Sequence, residues 1–290
     1  MKFSKAIQSG FTLIELIVVI ILTGILSTVM FQFITVPMES YVDVSRRTRL
    51  VDIADTAIQR IAYDVRAALP NSIRIGCGGR CMEFLRAPAG GRYRAAPPGD
   101  SLNFITDSRF EVIGPLDYTG FTTSNNSTDC ASNNASCVSI YNTGLPGTNA
   151  WNLDNMTTLA NGSSASAIRF TNFSFPQASP YQRFFLVDTP IKYICDTTSG
   201  TETLTRYQNY NIVSNEASVD SHVELLALSN PAEHALLADQ VTGCTFSYSA
   251  GTAERNAVLT ISLTIGEFDY LSNVTEDITL LQQVSVVNLP

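Results

Sequence analysis

Apolar positions are densest at the start of the chain. Phe11 to Val36 is a 26-residue, predominantly apolar run whose only ionisable side chain is Glu15. A helix needs about 20 such residues to cross the hydrocarbon core of a bilayer, so residues 11–36 predict one transmembrane helix. The preceding segment, Met1–Gly10, is short and polar and carries Lys2 and Lys5. Basic residues on that side hold the segment in the cytoplasm and send the rest of the chain outward. No later segment is long and apolar enough to cross again, so a single-pass topology with a large exported domain is expected.

The pattern then changes period. Between Tyr41 and Leu69, apolar Leu50, Ala54, Ala57, Ile61, Val65 and Ala68 recur at steps of three and four, with most charged residues elsewhere. That is the stripe of an amphipathic helix, and residues 37–69 are read as a continuation of the apolar helix. Leu69-Pro70 supplies the stop, because the residue before proline disfavours the helical region. Residues 70–290 read as a β-rich domain. Alternation or β-branched enrichment predicts strands at Ser72–Ile75, Met82–Leu85, Leu102–Ile105, Phe110–Ile113, Ile168–Phe175 and Arg183–Cys195. Further strands are predicted at Leu204–Tyr210, Thr245–Ser249, Val258–Ile265 and Ile278–Val287, with Thr198-Ser199-Gly200 as a hairpin tip. His222–Leu228 and Ala232–Ala238 fit a short helix or a strand equally well. Residues 119–167, rich in Ser, Thr, Asn and Gly, read as a long polar surface insertion. The expected fold class is α+β, a long N-terminal helix packed on an antiparallel sheet domain.

Charge narrows the function. The 290 residues hold 18 basic and 26 acidic side chains, net −8. Such a balance excludes a general nucleic-acid binder, which needs a basic surface for phosphate. The two signs are segregated, with 11 Arg against 7 acids in residues 41–110 and 5 basic groups against 17 acids in residues 111–290. Attraction between the halves or between subunits, or simply a solvated surface, accounts for this.

The catalytic inventory is thin. Six cysteines in an exported domain most economically form three disulfides, and six cysteines permit 15 pairings. Proximity favours Cys77–Cys81 and Cys130–Cys137 as local staples, leaving Cys195–Cys244 across the longest loop. Zinc at Cys77 and Cys81 would need two further ligands, and neither His222 nor His234 lies in a Cys/His cluster. No G-x-S-x-G, H-E-x-x-H or P-loop occurs, and no loop spaces its acids for calcium. No catalytic residue, metal or cofactor is therefore expected. Trp151 and Tyr141, inside the polar insertion, either pin a loop or offer a sugar-stacking surface. Asn134-Ala135-Ser136 and Asn273-Val274-Thr275 are formal glycosylation acceptors.

Glu15 needs an explanation, because a carboxylate in hydrocarbon costs roughly 2.5–3.5 kcal/mol on insertion scales. The segment Gly10-Phe11-Thr12-Leu13-Ile14-Glu15-Leu16-Ile17-Val18-Val19-Ile20 resembles the class III signal of type IV pilins and type II secretion pseudopilins. The resemblance implies cleavage between Gly10 and Phe11 by a prepilin peptidase at the cytoplasmic face. It also implies N-methylation of the new Phe11 amine, with Glu15 as the acid that meets the Phe11 ammonium of a neighbouring subunit. The proline usual in the family would fall at Gln32, whereas this chain has Pro37. The expected helix-then-sheet order agrees with the pilin fold.

The tail carries a second resemblance, to minor pilins of the MSHA class and more distantly to J-type minor pseudopilins. Its residues are Phe184-Phe185-Leu186-Val187-Asp188, Tyr193-Ile194-Cys195-Asp196, Gly243-Cys244-Thr245-Phe246-Ser247-Tyr248 and the end from Leu280 to Pro290. These resemblances imply a structural role, not an enzyme: a minor pilin acting in pilus assembly or initiation and surface attachment. The implied partners are other pilin subunits, the prepilin peptidase, the inner membrane and the pilus assembly platform. The implied location is the inner membrane with a periplasmic domain, then the pilus. A type II secretion pseudopilin and a membrane-anchored periplasmic enzyme are the alternative expectations.

Overall fold

The computed structural model describes residues 10–171, 173–198, 200–251, 255–269 and 274–287, and excludes the side chains at 32, 34–37, 39, 40, 269 and 274. The leader before Gly10, Ser199 of the predicted hairpin tip, Asn273 of one acceptor and the last three residues lie outside it. The chain divides into two compact units, Met1–Leu50 and Val51–Pro290.

One helix, α1 (Leu13–Arg66), runs through both units. The backbone stays helical through position 37, so the proline there does not end it. Within the first unit, Leu13–Phe31 has a mean hydropathy of 2.6 and buries none of its residues. At 1.5 Å per residue these 19 residues span about 28 Å, close to the thickness of a bilayer core. Its hydroxyls bond back to the helix: Thr23 Oγ1 donates to Val19 O at 2.7 Å and Ser27 Oγ to Thr23 O at 2.7 Å. A hydroxyl satisfied in this way is tolerated in an apolar setting.

In the second unit, Ala54, Ala57, Ile61 and Val65 are buried, as their three-and-four spacing requires. The helix ends at Arg66, three residues before the predicted stop, and Ala68 instead bridges to Arg86. The strands that follow are β1 (Arg74–Gly76), β2 (Cys81–Arg86), β3 (Ala89–Tyr93), β4 (Arg109–Ile113), β5 (Cys137–Ser139), β6 (Met156–Thr158) and β7 (Ala167–Arg169). After these come β8 (Arg183–Val187), β9 (Thr189–Asp196), β10 (Thr203–Gln208) and a short helix α2 (His222–Leu226). The chain closes with β11 (Glu233–Ala238), β12 (Val241–Ser249), β13 (Ala257–Asp269) and β14 (Val274–Val286).

These strands form three antiparallel sheets, ordered β1-β2-β9-β10-β11, β6-β5-β8-β3-β4-β7 and β12-β13-β14. The architecture is the α+β, pilin-like arrangement of an N-terminal helix followed by antiparallel sheet. Helix α1 is tied to the five-stranded sheet through a buried acid. Asp64 Oδ2 accepts from Tyr193 Oη at 2.7 Å and Arg206 Nε at 2.6 Å, on β9 and β10. Burial, and then the Asp64 carboxylate, push the Tyr193 hydroxyl far above its ordinary pKa.

Several strand predictions are corrected. Leu102–Ile105 is a turn: the Asn103 N–H donates to Asp107 Oδ2 at 2.6 Å, and Asn103 Oδ1 accepts from the Ile105 N–H at 3.0 Å. Short Asn and Asp side chains here outcompete a sheet ladder for the backbone. Arg183–Cys195 is two strands in different sheets, because at Asp188 the backbone N–H turns to Arg86 O and the carboxylate pairs with the Arg86 guanidinium. Of the predicted strand Ile168–Phe175 only Ile168 and Arg169 fall in β7, which begins at Ala167, and Phe173 and Phe175 instead join an aromatic cluster with Phe170 and Phe104. Residues 119–167 are not a surface insertion throughout. They supply β5 and β6 and bury Cys130, Val138, Ile140, Trp151, Met156 and Leu159. Sparse apolar residues sufficed because nearly all of them point inward. The undecided segments resolve as α2, fixed by a Ser221–Glu224 capping box, and as β11.

Candidate functional site

The N-terminal signal residues are contiguous, so local geometry alone assembles them. Gly10 and Phe11 are non-helical and exposed, with Phe11 78% accessible, and the helix starts two residues later at Leu13. Thr12 is the cap: its carbonyl accepts from the N–H groups of Glu15 and Leu16 at 3.1 and 3.2 Å, and its Oγ1 from the Glu15 N–H at 3.4 Å. Thr12-Leu13-Ile14-Glu15 thus has the spacing of a capping box. Glu15 lies in the first turn, where the exposed N–H groups and the helix dipole favour a negative charge. A non-helical, accessible junction therefore stands one turn from a carboxylate at the head of an apolar helix.

The second unit contains no comparable motif but is rich in buried charge. Glu83 on β2 is wholly buried and accepts from Arg74 Nε at 2.7 Å and Tyr210 Oη at 2.5 Å. Lys192 on β9, equally buried, lies 3.8 Å from Glu83 and 2.5 Å from Glu216. Burial, reinforced by the Glu83 carboxylate, pushes the Tyr210 hydroxyl well above its ordinary value. The Arg74 guanidinium lies over the Trp151 ring at 3.6 Å, and Trp151 Nε1 donates to Ser72 O at 2.8 Å. Trp151 is 5% exposed, so it pins its loop and offers no stacking surface. A Cβ at Gly76 would meet the Glu216 carboxylate, so a larger residue there requires the Glu216 side chain to shift from its place beside Lys192.

Three disulfides are present: Cys77–Cys81, Cys130–Cys137 and Cys195–Cys244, with Cα separations of 5.2, 5.2 and 6.3 Å. The first and third border one cleft of about 630 Å³, which also receives His222, His234, Tyr207, Asp196 and Asp220. Sequence reasoning missed this meeting of the two histidines. They lie on different elements, and nothing in the local pattern signals that α2 folds back over β10 and β11.

Residues 5–31 match the prokaryotic N-terminal methylation motif. No curated protein and no solved structure matches the chain. The motif supports a type IV pilin-like protein, either a pilin or a pseudopilin. A signal of this class implies processing by a prepilin peptidase and assembly with other pilins, and together with the apolar helix it points to membrane anchoring. Pilin-type proteins are typically structural and not catalytic.

Proposed function

We propose that the chain is a minor pilin of an MSHA-class type IV pilus, similar to MshO, with a structural role in pilus assembly or initiation and in surface attachment. The observation that carries this reading is the methylation motif spanning the Gly10–Phe11 junction, with Glu15 one turn into an apolar helix. Cleavage there exposes the Phe11 amine, which is then methylated. A terminal ammonium and a carboxylate are each costly in lipid and much less so together, so a processed subunit satisfies its neighbour's Glu15. The peptidase, the inner membrane, the assembly platform and neighbouring pilins are the partners this mechanism requires. The tail residues around Cys195 and Cys244 favour the MSHA class, and 290 residues is long for a repeating major subunit.

The test is the recovery of Glu15→Gln and Glu15→Val variants in sheared pili relative to the membrane pool. Both should insert and be cleaved, since the change only removes a charge from the apolar run. Both should be depleted from pili, partially so if the protein occupies the filament tip with few neighbours. Wild-type incorporation of both would refute the role of Glu15. Absence of the wild type from pili, with a secretion defect on deletion, would identify a type II secretion pseudopilin instead.

A further inference from the structure

The chain has only two histidines, and the fold brings them into contact. His222 opens α2, while His234 lies on β11 opposite Tyr207 of β10. Their ring centres are 5.1 Å apart with planes at 88°. Both histidines are exposed, whereas Tyr207 between the elements is 2% exposed, and its Oη lies 2.8 Å from His222 Nδ1.

Imidazole is the commonest ligand of transition metals in proteins. A ligating histidine characteristically has its second ring nitrogen held by a hydrogen bond, which fixes the tautomer and the ring direction. In the tautomer that carries its proton on Nδ1, Tyr207 supplies that hold by accepting from Nδ1–H, and His222 Nε2 is then the free electron pair. Two imidazoles bound to one ion at about 2.0–2.1 Å hold their ring centres about 5 Å apart, the separation found here. We infer that His222 and His234 form an open two-imidazole site for a divalent transition-metal ion, with Cu²⁺ preferred over Ni²⁺ and Zn²⁺. Among the described residues no group of three or more His, Cys, Asp or Glu is arranged around an ion, and the cysteines of the cleft are bonded to one another. The remaining coordination positions therefore fall to water in the cleft. Tyr207 is a positioning residue, not a ligand.

The test titrates Cu²⁺ into the full-length mature chain in detergent, without a histidine tag, followed by electron paramagnetic resonance and calorimetry. One ion should bind per chain, with hyperfine coupling from two imidazole nitrogens. His222→Gln and His234→Gln should each weaken binding at least tenfold and leave one imidazole nitrogen. Tyr207→Phe should weaken binding severalfold while keeping both nitrogens, which separates positioning from ligation. A wild-type spectrum with fewer than two imidazole nitrogens would overturn the site, and that reading needs no variant to fold. Equal affinity in the wild type and the His222→Gln/His234→Gln double variant would overturn it as well, leaving edge-to-face ring packing as the whole interaction.

Discussion

Glu83→Gln tests whether the buried charge network holds the second unit together. Glu83 is 0% exposed and balances two cations, Arg74 at 2.6 Å and Lys192 at 3.8 Å, while accepting from Tyr210. Glutamine keeps the shape and one acceptor but removes the charge. Lys192 is then left with Glu216 alone, whose side chain is 21% exposed, and Arg74 keeps only the Val213 and Ser214 carbonyls and the Trp151 ring, with no carboxylate partner. Removing one partner of a buried ion pair costs about 3–5 kcal/mol, because the surviving charge is desolvated without compensation. A domain of this size loses about 2–4 °C of Tm per kcal/mol, so thermal melts followed by near-ultraviolet circular dichroism should shift down by about 6–20 °C. The decisive control is Glu83→Gln/Lys192→Met, which removes the surplus cation as well. Coupled neighbours deviate from additivity by about 0.5–3 kcal/mol, so the double variant should be more stable than the sum of the single effects. A Glu83→Gln melt within about 2 °C of wild type, or strict additivity in the double variant, would refute the reasoning.

Three further outcomes are expected. Mass spectrometry of the mature protein should find a chain beginning at Phe11 with one added methyl group, and an intact Met1 terminus in assembly-competent cells would contradict it. Replacing both Cys195 and Cys244 by serine should destabilise the domain by about 4 kcal/mol on the chain-entropy account of a closed loop, measured by urea titration, because their sequence separation is 49. No loss would show that the bond constrains nothing in the unfolded chain. Alkaline pH should unfold the domain through its buried phenols. Tyr193 and Tyr210 have folded pKa values raised above the ordinary value of about 10, so above that pH the unfolded chain binds fewer protons than the folded one. Stability should hold below about pH 10 and decline as the pH rises further, with tyrosinate absorbance appearing together with unfolding. Ionisation of both phenols in a still-folded domain would contradict their burial.

The sequence by itself determined what depends on neighbours a few positions apart. Glu15 in the first turn and the Leu13–Phe31 span follow from contiguous residues and helical periodicity. The same holds for the buried stripe of Ala54, Ala57, Ile61 and Val65. Tertiary structure alone decided the roles of the charged and polar residues in the second unit. Asp64 reads as one more solvated helix acid until Tyr193, 129 residues away, and Arg206 close over it. Glu83 and Lys192 likewise read as the polar positions of alternating strands, yet both face inward where four charges and a tyrosine satisfy one another. Residues 119–167 look like solvent-exposed loop by composition, and they become core because six well-placed apolar residues meet partners from β2, β3 and β8. Hydrophobic period reports which side of an element is buried. It carries no information about which distant group will pay the desolvation cost of a buried charge, and that pairing exists only once the sheets have formed.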